Sequence, residues 1–189
     1  MCLDVHGKEK TMLRAIGSKV DLDKNGDSQY YSLVADLLES DVVNEMKQYT
    51  HHGNTTCFQH CLNVSYYNYK LCKFFSLNER AGARAGLLHD LFLYDWHTYV
   101  PPKGERLHGF THAGKALENV KKNFYVTELE CDIIEKHMFP LNITALPKYR
   151  ETLVIVITDK VCGTMEVFAY RGLVIKEFFK RTFRKKSVE

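Results

Sequence analysis

At 189 residues, with 45% hydrophobic and 26% charged side chains, the chain is most simply one globular domain with a core of ordinary size. A formal net charge of +3 is too small to argue by itself for a nucleic-acid partner. No run approaches the ~20 apolar residues of a membrane span and the N-terminus lacks a signal-peptide core, so a cytoplasmic location and free thiols are expected.

The first 28 residues are polar, weakly periodic, and read as an extension of the domain. Within them "DLDKNGD", residues 21–27, opens like an EF-hand loop, with Asp21, Asp23 and Asn25 at ligand positions and Gly26 at the turn. The position that needs a closing bidentate carboxylate holds Ser32, so a polar turn capping the next helix is the better reading. From Gln29 to about Gln48, Tyr30, Leu33, Leu37, Leu38, Val42 and Met46 recur at helical period. Cys57, His60, Cys61, Val64, Tyr67, Leu71 and Phe75 mark a second helix, and Cys57, Cys61 and Cys72 read as core packing. A third runs from about Asn78 to Asp95, where Gly82 and Gly86 offer a flat face. Pro101 and Pro102 then open a loop through Gly104.

A fourth helix covers His112 to Asn123. The fifth opens on a capping box, Thr127 with Glu130, and ends at Pro140. After Pro147 a sixth segment holds "TLVIVITDKVCGTMEVFAY", and a last helix runs from about Leu173 to Phe183. Leu153–Ile157 has the apolar, β-branched character of a buried strand, but one strand would have no sheet to join. The expected fold is all-α: a single compact multi-helix bundle over residues 29–175, with a basic C-terminal tail at 176–189. In that tail Lys176, Lys180, Arg181, Arg184, Lys185 and Lys186 stand against Glu177; a solvated helix end is the simpler reading, a phosphate-rich or membrane-surface contact the other.

Nine histidines carry the functional signal through their placement. His60 lies on the apolar stripe of the second helix. His89 and Asp90 end the run "AGLLHD". His108 and His112 are four apart, His137 follows Ile133 and Ile134, and Asp159 interrupts the most hydrophobic helix. Each alone is readily a hydrogen-bonded core residue. An apolar bundle would have to satisfy all of them separately, whereas one shared cation satisfies them together, since imidazole and carboxylate are ligands for Zn, Fe, Mn and Co.

With "QHCLNV", "AGLLHD" and "TDKVCG" in this order, the chain resembles the HD-domain superfamily of metal-dependent phosphohydrolases over roughly residues 55–165. The resemblance implies that His60, His89, Asp90 and Asp159 bind one divalent ion. Members with two ions add histidines between the doublet and the final Asp, with the doublet Asp bridging; His112 and His137, 22 and 47 residues after Asp90, stand in that interval. A dinuclear site of Mn, Fe, Co or Zn is therefore favoured, with Asp90, His112 and His137 as catalytic residues and His108 as a substitute or support for His112. The lysine common a few residues after the doublet is absent, as is the Gly-Tyr-Pro signature of cyclic-di-GMP phosphodiesterases.

The implied reaction is hydrolysis of a phosphomonoester or phosphodiester by a metal-activated water, with a nucleotide as the favoured substrate. Lys103, Arg106, Lys115 and Arg150 are candidate phosphate contacts, each also readable as solvated surface; Lys136 is a further one. Asp95 could orient a water or cap a helix, and His51 and His52 could line the site, with solvent exposure the simpler reading. Two rivals keep the same residues: a di-iron oxygenase on the HD fold, and a non-catalytic, metal-stabilised module whose basic tail docks on a partner.

Overall fold

The computed structural model describes residues 13–185, with side chains through Lys176. Cys2 and the last four residues of the tail lie outside the described residues. Those described form helices and turns with no strand, the expected all-α bundle. Helix α1 (Ser28–Leu38) starts where the Asp27 carboxylate accepts from the Tyr30 amide, and it buries Tyr30, Val34 and Leu37. The acidic turn ahead of it thus caps the helix, and Asp23 Oδ1 accepts from the amides of Asn25 and Gly26. The extension is packed on the body: Ala15 and Leu22 are buried, and the Ile16 amide donates to Asn63.

The expected helix over 29–48 is broken. Ser40 adopts extended backbone, α2 (Asp41–Glu45) begins after it, and a 3-10 turn follows over Met46–Gln48. The Asn44 amide donates to the carbonyls of Leu38 and Ser40, satisfying acceptors that a continuous helix would have used.

Helix α3 (Cys57–Phe74), capped by Thr56, runs through the centre of the bundle; α4 (Glu79–Leu88), capped by Asn78, lies against it. The two approach closely because Gly82 and Gly86 face α3. A Cβ at Gly86 would stand 2.8 Å from Ser65 Cα, and one at Gly82 would stand 2.7 Å from Cys72 Sγ. Gly86→Ala is expected to lose about 1–3 kcal/mol, because backbone and not a flexible side chain must give way. Gly114→Ala, where a Cβ meets nothing within 4 Å, is expected to gain about 0.5–1 kcal/mol of helix propensity. Urea unfolding of the two variants measures both.

Helix α4 stops at Leu88, short of the expected Asp95. Leu93 takes φ 56°, and the Phe92 amide bonds back to the Asp90 carbonyl, so the chain turns directly after the His-Asp doublet. Leu91 and Phe92 remain buried as the wall behind it. Then come α5 (His108–Asn123), α6 (Glu128–Lys136) with its Thr127–Glu130 capping box, and α7 (Arg150–Lys185). The two expected C-terminal segments form this one helix, since no proline interrupts it and its glycines are tolerated. It buries Thr152, Ile155, Thr158, Cys162 and Glu166 on one face. No helix of the described residues is long and apolar enough to cross a membrane.

Candidate metal centre

Five helices deliver the site. His60 lies in the middle of α3, His89 and Asp90 follow the last turn of α4, His112 lies in α5, His137 follows α6, and Asp159 lies in α7. All but Asp159 are at most 5% exposed.

Asp90 is the hinge of the arrangement. Its Oδ2 lies 3.4 Å from His89 Nε2 and 4.0 Å from His60 Nε2, and Asp159 Oδ1 closes that side at 3.1 Å from His60 Nε2 and 3.8 Å from His89 Nε2. Its Oδ1 lies 3.4 Å from His112 Nε2 and 3.5 Å from His137 Nε2, which are themselves 2.9 Å apart. Donor atoms sharing one transition ion at 2.0–2.2 Å stand about 3 Å from each other. Two donor sets, each able to hold an ion, therefore share one carboxylate.

The second nitrogen of each imidazole explains how these rings are aimed. Nδ1 of His89 donates to the Gly86 carbonyl at 2.9 Å, and Nδ1 of His137 to the Ile134 carbonyl at 2.8 Å. Both carbonyls lie in the last turn of a helix, where acceptors lack intrahelical partners. Nδ1 of His112 donates to the His108 carbonyl at 2.9 Å, and Nδ1 of His60 to the buried Glu166 carboxylate at 3.0 Å. A carbonyl only accepts, so the proton sits on Nδ1 and the Nε2 lone pair faces the centre.

Those lone pairs supply a test of fit. Neutral His112 and His137 turn two acceptors toward each other at 2.9 Å, and Asp90 Oδ1 and His89 Nε2 are buried with no hydrogen-bond partner among the described residues. A protein interior does not leave such atoms unpaired without cost. A cation on each side of Asp90 satisfies them all, so the residues fit a two-ion centre.

Protonation follows the same division. Burial opposes charge on His60, but Asp159 and Glu166 outweigh it and hold its pKa well above 6.5; for His89 burial is likewise outweighed, chiefly by Asp90. Burial, and then the neighbouring His89, lower His137 to about 3. Burial would raise Asp90 and Asp159, yet the surrounding imidazoles hold both well below the usual carboxylate range.

Glu166 gave no local signal in the sequence beyond lying seven residues after Asp159, two turns along one helix face. It also accepts from Asn63 Nδ2 at 2.7 Å, which fixes the carboxylate that fixes His60. Glu166→Gln is expected to weaken ion binding on the His60 side about 10–100-fold while leaving the His112–His137 side unchanged, as read by calorimetric titration.

A cavity of about 500 Å³ opens over the centre. His51 and His52 line it, correcting the expectation of solvent exposure: His51 is 8% exposed, with Nε2 3.3 Å from Asp90 Oδ2. His108 stacks on His112 at 4.6 Å and supports it through its carbonyl.

Lys103, Arg106, Lys115 and Arg150 do not line the cavity. Lys103 and Arg150 are exposed, Arg106 lies over the Phe110 ring at 3.9 Å, and Lys115 pairs with Glu105 and Tyr99. Their nearness to the motifs along the chain is not nearness in space. Lys136 is paired with Asp132, and Asp95 is exposed, accepting from the His97 amide. The cation that does line the cavity is Lys160, whose Nζ donates to the His137 carbonyl at 3.2 Å and lies 3.6 Å from Asp159 Oδ2.

No curated protein and no solved structure matches the chain. A family model described as HD domain matches residues 57–163, more than half of the chain and a span that holds His60, His89, Asp90, His112, His137 and Asp159. The chain belongs to the HD domain family.

Proposed function

We propose that the chain is a metal-dependent phosphohydrolase with a dinuclear centre, acting on a phosphomonoester or phosphodiester, with a nucleotide as the favoured class. The observation that carries the reading is Asp90, whose two oxygens face two opposed sets of Nε2 donors on the floor of a cavity. His60, His89, Asp90 and Asp159 would hold one ion; Asp90, His112 and His137 would hold the other. When bound, such ions supply Lewis acidity, lowering the pKa of water toward 7 and offsetting phosphoryl charge. The chain's own part is to fix geometry. The Nδ1 anchors keep four imidazoles aimed without reorganisation, Asp90 ties the two halves together, and Lys160 brings an ammonium to the rim where phosphoryl oxygens enter. The described cysteines are free thiols, which supports a reducing, cytoplasmic setting.

The test is phosphate release from p-nitrophenyl phosphate, bis-p-nitrophenyl phosphate and nucleoside monophosphates, with Mn, Co, Zn or Fe, with and without oxygen. Release that follows ion loading and is indifferent to oxygen supports the reading. Turnover confined to iron and oxygen, without phosphate release, would place the centre in oxygenase chemistry. Lysine truncation at 160 is expected to raise KM about tenfold, for one lost charge-assisted contact of about 1.5 kcal/mol.

A further inference from the structure

Two buried polar atoms on the cavity wall have no partner among the described residues, and neither belongs to the donor sets above: the indole Nε1 of Trp96 and Nδ1 of His51. Their rings are neighbours, 6.2 Å between centroids and 69° between planes. Trp96 Nε1 carries a hydrogen and can only donate. His51 presents Nε2 to Asp90 Oδ2 at 3.3 Å, and a carboxylate oxygen only accepts, so the His51 proton sits on Nε2 and Nδ1 is a bare acceptor. Burial and the adjacent His60 keep His51 neutral, in agreement with that assignment. One wall of the cavity therefore offers a donor and an acceptor side by side, both dry.

We propose that this pair recognises a hydroxyl group of the substrate, the oxygen accepting from Trp96 Nε1–H and its hydrogen going to His51 Nδ1. A carbonyl would satisfy only the indole and an ammonium only the imidazole; a hydroxyl satisfies both. The position follows from the contact with Asp90. His51 touches the oxygen that also faces His60 and His89, so the hydroxyl is carried close to the phosphoryl group. The ligand class is a phosphate ester of a polyol or sugar, ribose included, and simple alkyl phosphates are disfavoured. The other face of the indole choice is closed: Trp96 stacks on His108 at 5.3 Å and 14°, which holds the ring in place and keeps the N–H where it is. The phosphate part of the ligand rests on the phosphohydrolase reading; the hydroxyl part rests on Trp96 and His51.

Calorimetric titration of the manganese-loaded protein with glycerol 1-phosphate and with propyl phosphate tests it, since the two differ only in hydroxyls. The wild type is expected to bind the glycerol ester at least about tenfold more tightly, the scale set by leaving buried polar groups unpaired. In Trp96→Phe, which keeps an aromatic ring and removes the N–H, the ratio is expected to fall below about threefold. Trp96 is the only tryptophan in the chain, so wild-type emission reports the same binding directly. A wild-type ratio near one, a ratio unchanged in Trp96→Phe, or no binding of either ester overturns the proposal. Phosphate release from the same two esters is read in parallel. A persistent binding ratio with no release from either leaves the hydroxyl site standing and removes the hydrolase; release from both at equal affinity does the reverse.

Discussion

Asp90→Asn is expected to empty both halves of the centre, from two ions per chain to fewer than 0.5 (an order-of-magnitude bound), and to lower phosphate release at least about 1,000-fold. Both carboxylate oxygens are in use, Oδ2 toward His89 and His60, Oδ1 toward His112 and His137. Asn replaces one of these oxygens with an NH2 group that points hydrogens where a cation would sit, and it removes the negative charge that offsets two divalent ions. The amide can instead donate to the Nε2 lone pairs, so the helices are expected to persist, with an unchanged far-UV circular dichroism spectrum. Metal analysis and phosphate release measured on the same folded sample separate loss of the centre from loss of the fold. An Asp90→Asn protein that retains two ions would remove Asp90 from the bridging position.

Ion removal is expected to destabilise the fold, and increasingly so as pH rises. An ion held at 1,000 times its Kd contributes about 4 kcal/mol. For a chain of this size that is a fall in Tm of roughly 8–16 °C on chelation. The pH trend follows from the His60 and His89 protons. Their folded-state pKa values stand well above 6.5, so without an ion their contribution is complete below 6.5 and is lost as pH rises through the folded values. Asp90 and Asp159 act oppositely. Their folded pKa values are depressed, so their contribution is present above about 3.8 and is lost only in acid. Between pH 6 and 9 the carboxylates stay ionised and the imidazole protons leave. The metal-free protein loses stability over that range, while a bound cation takes the place of those protons. The gap in Tm between manganese-loaded and EDTA-treated protein is therefore expected to widen from pH 6 to pH 9. A gap that narrows, or none, would contradict the protonation scheme.

Local rules made some of this legible in the sequence. The Thr127–Glu130 capping box and the Gly82–Gly86 face depend on residues a few positions apart, and both appear in the structure as read. The six proposed ligands were legible because polar side chains at inward positions of apolar helices need a common partner. What escaped was non-local or locally silent. Nothing in "LFLYDW" breaks a helix, yet α4 ends before it, where Leu93 turns with positive φ. Glu166 meets His60 across 106 positions, and Lys160 reads as a surface charge until the His137 carbonyl is placed beside it. The N-terminal histidine pair looks solvent-facing in a polar stretch; only the packing of residues 49–57 against α3 and α4 brings His51 over Asp90.

The central claim is that one carboxylate serves two ions, and counting them tests it most directly. Metal content is measured on protein made without a His-tag, beside a His137→Ala variant. The account expects about two ions per chain, falling to about one in His137→Ala, with the His60, His89, Asp90 and Asp159 side still loaded. One ion per chain, unchanged in His137→Ala, would contradict it and leave His112 and His137 as paired core residues.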